Sequence, residues 1–319
     1  MYPQLFDVQR CKVIASLNKI KLEQQIKLLK DFFPQNQIEL LLELTSEPKE
    51  QEDFNIDKDS LKGCITRISC NENFKFPMID ENIPIQSFKM KRSKYQEQIL
   101  DFSSLSKFII FDQIHLKIGS NLQIRQQNAQ NAYISSPKKV TLESVNRKVD
   151  WPILMNQILE RFTNQENMSD LHMSSKCGLR IHQSSLTSSL FKSVQNFVNL
   201  KILTTPFGCE SLMIDQLLQM LRELKKLKQL TLNSTDNNQD QQECIAVEQI
   251  SLFVISSKQE LRTLNFMLSN KIMLGDIEIK DRVAPLTITI DVYCQYTQYV
   301  IDTETGQTKF YRIKDNNEY

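Results

Sequence analysis

The stretch Leu227-Lys228-Gln229-Leu230-Thr231-Leu232 has leucine at its first, fourth and sixth positions. Because Leu230 and Leu232 alternate with polar residues, the stretch predicts a short strand that buries one face. The successive copies of this pattern start 32, 31, 32, 27 and 34 residues apart, which predicts a repeat protein. The other copies are Leu105-x-x-Phe108-x-Ile110, Pro137-x-x-Val140-x-Leu142, Met168-x-x-Leu171-x-Met173, Leu200-x-x-Leu203-x-Thr205 and Leu261-x-x-Leu264-x-Phe266.

A helix is predicted between consecutive copies from Pro137 onward. Each intervening segment carries apolar residues three or four positions apart, the spacing of one helix face. Such a helix returns the chain to the start of the next strand, so the fold class is α/β. The helix faces are Ile153, Leu154, Ile158, Leu159 and Phe162; Leu186, Leu190, Val194 and Phe197; Leu217, Met220, Leu221 and Leu224; and Ile245, Ile250, Phe253 and Val254.

Four regions are predicted along the chain. Residues 1–44 carry helical spacing and predict a separate module of two or three short helices. Residues 45–60 hold six acidic and two basic residues and predict an acidic linker. Residues 61–282 form the repeat solenoid, and residues 283–319 form a C-terminal β cap. We therefore expect residues 61–319 to fold without the first 44.

The irregular ends of the repeat region rest on weaker patterns. Alternating apolar positions from Leu61 to Ile68, and the copy Ile85-x-x-Phe88-x-Met90, predict two atypical early units. A further copy, Val283-x-x-Leu286-x-Ile288, leads into β-branched and aromatic runs around Gly306. Those runs predict a β-hairpin.

Composition excludes several classes of protein. The chain has 319 residues, 40% of them hydrophobic, and a net charge of +1, which describes a folded protein without a global field for polyanions. Its seven cysteines show no C-x-x-C spacing, and its six glycines are isolated, so neither a zinc knuckle nor a phosphate-binding glycine loop is predicted. Without a leader or a membrane-length apolar run, we expect an intracellular protein, cytoplasmic or nuclear, with no cofactor and no membrane partner.

The six copies together resemble leucine-rich repeats, and their period looks most like that of the ribonuclease-inhibitor-like subclass. That family normally places an asparagine eight residues after the first leucine. Here those positions hold Gln113, Val145, Lys176, Gly208, Thr235 and Ser269, so the resemblance is to a degenerate form. It implies a solenoid of strand-plus-helix repeats, here with N-terminal helices and a C-terminal β-hairpin cap, and a role in protein–protein recognition.

The resemblance also nominates the residues that would bind a partner. In a leucine-rich solenoid the residues between the buried leucines face outward on a concave strand surface. Their mixed charge suits a protein partner. The nominated residues are Lys201, Ile202, Thr204, Lys228, Gln229, Thr231, Arg262, Thr263 and Asn265, with Lys107, Ile109, Lys139, Thr141, Asp170 and His172 from earlier copies.

No catalytic or metal-binding residue is nominated. The three histidines, His115, His172 and His182, lack the spacing of a metal site. Cys177 is the only thiol close in sequence to a histidine, and sequence proximity alone does not make a nucleophile. The sequence therefore predicts a non-enzymatic scaffold, or a subunit of a larger complex.

Two alternative functions stay open at this point. A basic cluster, Lys89, Lys91, Arg92 and Lys94, would suit phosphate or an acidic partner and leaves open a nucleic-acid-associated subunit of a ribonucleoprotein. The predicted N-terminal helices, with residues 33–41 resembling the opening of an F-box, leave open a substrate receptor of a ubiquitin ligase.

Overall fold

The computed structural model describes most of the chain, in seventeen ranges. They are residues 10–16, 22–32, 37–44, 58–71, 82–91, 98–100, 102–118, 122–124, 133–144, 151–175, 184–208, 211–234, 240–257, 260–268, 286–292, 295–301 and 308–311.

Strands and helices alternate along much of the chain, as expected for an α/β fold. The strands are β1 (Arg10–Ser16), β2 (Gln37–Leu44), β3 (Cys64–Asn71), β4 (Ile83–Lys91), β5 (Gln98–Leu100), β6 (Phe108–Ile118), β7 (Leu122–Ile124), β8 (Ile134–Ser135), β9 (Lys139–Ser144), β10 (Phe162–Thr163), β11 (Asp170–Ser175), β12 (Ile202–Phe207), β13 (Gln229–Ser234), β14 (Thr263–Leu268), β15 (Leu286–Val292), β16 (Gln295–Ile301) and β17 (Thr308–Tyr311). The helices are α1 (Leu22–Phe32), α2 (Lys58–Leu61), α3 (Phe102–Leu105), α4 (Trp151–Leu159), α5 (Ser184–Gln195), α6 (Ser211–Glu223) and α7 (Asp240–Ser256).

The chain divides into two compact units. The first comprises Met1–Lys138 and Arg161–Thr163, and the second comprises Lys139–Glu160 and Asn164–Tyr319. In the first unit, β1, β2, β3, β4 and β6 are parallel neighbours in that order. Two short parallel pairs, β5 with β7 and β8 with β10, also belong to this unit.

The prediction that residues 1–44 are helical is wrong for two of its three segments. Among the described residues of this range, Leu22–Phe32 form a helix, while Arg10–Ser16 and Gln37–Leu44 are parallel strands. The burial of Ile38, Leu40 and Leu42 explains the error, because these residues alternate along the chain and share one face of a strand. The F-box resemblance loses its basis as well, since residues 37–41 lie in a strand and not in a helix.

The predicted separation of residues 1–44 from the rest is also wrong. Strand β2 pairs directly with β3, from Ile38 opposite Cys64 to Leu44 opposite Cys70. Residues 45–57 of the predicted acidic linker lie outside the described residues, and α2 occupies the end of that segment. Because backbone hydrogen bonds of one sheet span the predicted boundary, the N-terminal strands belong to the same unit as the early repeat region.

In the second unit, the predicted repeat register is confirmed. Strands β9, β11, β12, β13, β14 and β15 are parallel neighbours in that order. The fourth position of each motif copy stands opposite the same position of the next: Val140, Leu171, Leu203, Leu230 and Leu264. Parallel pairing with identical register repeats the same environment from strand to strand.

The motif leucines and their equivalents form the core, as predicted. The first, fourth and sixth residues of all six copies are buried, and Leu200, Leu227 and Leu230 have no exposed surface. Two copies have the same kind of turn before the strand. The amide N–H of Leu200 donates to the carbonyl of Phe197, and the amide N–H of Leu227 donates to the carbonyl of Leu224. The same spacing of apolar residues therefore builds both the turn and the strand core.

The four helices predicted in this unit are confirmed as α4, α5, α6 and α7. Helix α4 begins at Trp151. One predicted face is partly wrong, since Ile245 is exposed while Ala246 and Val247 are buried beside Ile250 and Val254. The residues between the apolar motif positions on β9 to β14 are partly exposed, and we call this side of the strands the open face.

Two of the weaker motif copies have a different register from the predicted one. In the first unit, Ile83 and Ile85 stand opposite Phe108 and Ile110, so the equivalent of the motif starts before Ile85. In the second unit, Leu264 stands opposite Ile288 and not Leu286. Strand β15 therefore aligns two residues later than the copy at Val283 predicts.

The C-terminal strands pair in the predicted antiparallel manner. Strand β16 is antiparallel to both β15 and β17. Strand β15 itself is parallel to β14 and so continues the repeat order past the predicted boundary at residue 283. No helix of the described part of the chain is long and apolar enough to cross a membrane.

Candidate functional site

The open face of the second unit carries the nominated residues in two rows. We define the first row as the side chains at the third motif position and the second row as those at the fifth. Strand pairing places Ile202, Gln229 and Thr263 side by side in the first row. The second row is parallel to the first and lies two residues later on each strand. All of the nominated members of both rows are partly exposed. The second row contains Thr204, Thr231 and Asn265.

Hydrogen bonds join neighbours of the second row. The side-chain amide of Asn265 donates to the hydroxyl oxygen of Thr231 over 3.2 Å. The Nδ1 atom of His172 lies 3.0 Å from the hydroxyl oxygen of Thr204. Such cross-strand pairs orient the side chains relative to the sheet. The open face is therefore an array of amide, hydroxyl and imidazole groups held at strand spacing.

A third set of nominated residues lies just before the strands. We call Lys201, Lys228 and Arg262 the basic row, and all three side chains are exposed. The amide N–H of Lys228 donates to the carbonyl of Lys201 over 2.8 Å, and that of Arg262 donates to the carbonyl of Lys228 over 2.8 Å. The backbone thus holds these three cations at equivalent points of consecutive strands, as the motif predicts.

The environment of His172 favours its neutral form. Burial lowers the pKa of this imidazole, the nearby Lys139 ammonium lowers it further, and the Asp170 carboxylate opposes both. A neutral imidazole keeps one nitrogen as a hydrogen-bond acceptor and the other as a donor. At neutral pH His172 therefore contributes a polar, uncharged group to the second row.

We expect the pKa of His172, followed by NMR, to lie below its ordinary value of 6.5. Because the folded pKa is depressed, the stability that His172 contributes is present above pH 6.5 and is lost as pH falls through the folded pKa. Replacing Lys139 with Gln should raise the pKa, and Asp170→Asn should lower it further. A His172→Gln variant assigns the resonance, and a pKa at or above 6.5 in the unmodified protein would contradict the prediction.

The first unit carries a different polar surface, which we call the paired ladder. Arg67 bonds Glu39 (Nη2 to Oε1, 2.7 Å) and Gln86 (Nε to Oε1, 3.0 Å). Gln86 in turn donates to Asp112 over 2.7 Å, and Lys138 Nζ lies 3.3 Å from the other carboxylate oxygen. The hydrogen bond from Gln86, followed by the contact with Lys138, holds the pKa of Asp112 below its usual range against the opposing effect of burial. The charges of this ladder are satisfied within the unit.

The basic cluster predicted at Lys89–Lys94 is only partly a free positive patch. Lys91 Nζ forms a salt bridge with Glu43 at 2.9 Å, while Lys89 is exposed. Arg92 and Lys94 lie outside the described residues. Because one of the two described cations is compensated, the cluster presents less positive charge to phosphate than the sequence indicates.

Sequence reasoning missed two sets of residues. The first is Thr287 and Thr289, which continue the two rows on β15 opposite Thr263 and Asn265. Thr287 is partly exposed whereas Thr289 is buried, so Thr287 adds an exposed group to the first row. The predicted copy at Val283 starts two residues before the register of β15. The second is the paired ladder, whose partners lie 19 and 26 residues apart and left no sequence signal.

Two observations on the described residues concern metal binding and thiol chemistry. No group of three or more His, Cys, Asp or Glu side chains within the described ranges could hold a metal ion. Burial raises the pKa of the Cys70 thiol to about 12, which leaves it protonated and unreactive. His182 and Cys177 lie outside the described residues.

Comparison with protein-family models, with curated proteins and with solved structures finds no match for this chain. The geometry of the open face is therefore the basis for a functional proposal.

Proposed function

We propose that this protein is a non-enzymatic interaction scaffold, or a subunit of a larger intracellular complex, that binds a protein partner through the open face of its second unit. The proposal includes a fold of leucine-rich-repeat type, in which the six motif copies build a solenoid and the open face is its concave side. The antiparallel strands β16 and β17 would then close one edge of the stack.

One observation supports this proposal more than any other. The constant register from β9 to β14 aligns outward side chains of successive repeats into continuous rows. Rigid, regularly spaced polar groups beside a few apolar ones, such as Ile202, match the mixed composition of protein-binding surfaces. Neither the ubiquitin-ligase hypothesis nor the ribonucleoprotein hypothesis has a comparable observation in its favour.

Site-specific photo-crosslinking tests the proposal. The full chain would carry p-benzoylphenylalanine in place of Gln229 or Thr231, and would be irradiated in extract from its native cells. We expect both positions to crosslink the same protein, identified by mass spectrometry, because they lie in adjacent rows of one strand.

Gln219 on α6 and Glu248 on α7 are the matched control positions, since both are exposed on the helices. Crosslinking of the same partner only from these helical positions would refute binding through the open face. A crosslinked nucleic acid in place of a protein would refute the class of partner.

A further inference from the structure

The basic row aligns three exposed cations, none of which forms an ion pair within the described part of the chain. We infer that Lys201, Lys228 and Arg262 bind an acidic segment of the partner protein, which lies across β12, β13 and β14 near their first residues. This inference rests on the proposed function and adds the chemistry of the partner.

The backbone fixes the spacing of the three cations. Each residue of the row accepts hydrogen bonds from the start of the following strand: the amides of Lys228 and Gln229 donate to Lys201, and those of Arg262 and Thr263 to Lys228. Neighbouring parallel strands lie about 4.8 Å apart, so the three Cα atoms span about 10 Å. Flexible lysine and arginine side chains let carboxylates of a bound peptide pair with them at its own spacing.

Three cations of the first unit, in contrast, form ion pairs with acidic residues. There, Arg67 pairs with Glu39, Lys91 with Glu43, and Lys138 with Asp112. In the basic row, no side chain forms an ion pair with another residue in the described part of the chain. Three aligned cations without counter-charges repel one another, and an anionic partner relieves that repulsion.

The groups beside the basic row favour a peptide over a nucleic acid. Gln229 and Thr263 offer amide and hydroxyl groups to the backbone of an extended peptide, and Ile202 offers apolar contact. Proteins that bind single-stranded nucleic acid stack bases on aromatic side chains. Among the described positions of both rows from β9 to β15, none is Phe, Tyr or Trp. The described face thus has charge for an acidic segment but no platform for bases.

Fluorescence anisotropy with the full chain tests the inference. The probe is a fluorescein-labelled peptide of about nine alternating Glu and Ser residues, enough to cross the six parallel strands when extended. We expect binding that weakens as salt rises. Replacing Lys201, Lys228 and Arg262 together with Glu should weaken it by more than about tenfold, and replacement with Gln by an intermediate factor.

The matched control reverses three exposed lysines of the first unit, Lys27, Lys58 and Lys62, to Glu. This control makes the same change in net charge, so an effect of overall charge would appear in both variants. We expect the control to change the affinity by less than about twofold. Circular dichroism checks that each variant keeps its fold. If the Glu variant does not fold, the affinity of the Gln variant for the peptide is compared with that of the unmodified chain.

Each outcome separates the inference from the proposed function. Equal binding by the basic-row and control variants, or no binding of the peptide by the unmodified chain, would overturn the inference. Binding of an oligouridine probe that depends on the row, without competition by the peptide, would overturn it in favour of nucleic acid. If the partner crosslinked at Gln229 is captured equally by the Glu variant, the acidic segment is wrong while the open-face proposal stands.

Discussion

Replacing Leu230 with alanine is expected to lower the free energy of unfolding of the second unit by about 2–5 kcal/mol. Leu230 has no exposed surface and stands between Leu203 and Leu264 of the neighbouring strands. Removing its side chain leaves a cavity between the side chains of Leu203 and Leu264, whose strands are held by hydrogen bonds in register with β13. Such a site relaxes little, so the loss should lie well above that of an exposed substitution.

The control for Leu230→Ala is Gln229→Ala, the preceding residue on the opposite face of the same strand. Gln229 is partly exposed, and its loss should cost less than about 1 kcal/mol. Urea denaturation followed by the fluorescence of Trp151, the only tryptophan and a residue of the same unit, measures both variants. Similar losses for the two variants would show that the strand does not bury the leucine face.

The sequence predicted the second unit well because each copy of the apolar motif supplies one strand of the parallel sheet. Each copy combines a buried residue before the strand with two buried residues in alternation, as in Leu227, Leu230 and Leu232. That combination fits neither a helix alone nor a strand alone. Because it recurs, equivalent residues of successive copies can be aligned, and these are the residues that stand opposite one another in the parallel sheet. The nominated rows followed directly, because a known register determines which side chains stand side by side.

The first unit was predicted poorly because its short apolar runs fit both the three-to-four-residue spacing of a helix and the two-residue alternation of a strand. Ile38 and Leu41 are three residues apart and suit a helix, whereas Ile38, Leu40 and Leu42 alternate and suit a strand. The structure follows the alternation. The neighbouring strand that decides between them, β3, begins twenty residues after β2 ends and beyond a segment without a pattern. Local spacing alone does not contain that information.

The charges of the candidate site could be predicted only in part. The exposure of Lys228 and Arg262 followed from their motif positions, but the pairing of Lys91 with Glu43 joins residues 48 apart. Whether a cation is compensated depends on such tertiary contacts. The contrast between the paired ladder and the basic row is therefore a result of the structure, and it changes which cluster is the better candidate for an anionic partner.

Deleting residues 1–44 is expected to abolish the cooperative folding of the first unit, the reverse of what the sequence predicts. The deletion removes β1, α1 and β2, and with them the buried side chains of Ile38, Leu40 and Leu42. Strand β3 would become an edge with unpaired backbone groups and uncovered apolar neighbours. Edges of this kind pair with other chains, so we expect aggregation.

Hydrogen exchange and size-exclusion chromatography measure this outcome. In any monomeric fraction of the truncated chain, the amides of Cys64–Asn71 should exchange faster than in the full chain, because their partner strand is missing. The point variants Leu40→Ala and Leu41→Ala separate packing from pairing, since Leu40 is fully buried and Leu41 is partly exposed. The first should destabilise the unit by about 2–5 kcal/mol and the second by less. A soluble monomer of the truncated chain with β3 amides protected as in the full chain would establish the N-terminal segment as a separate module after all.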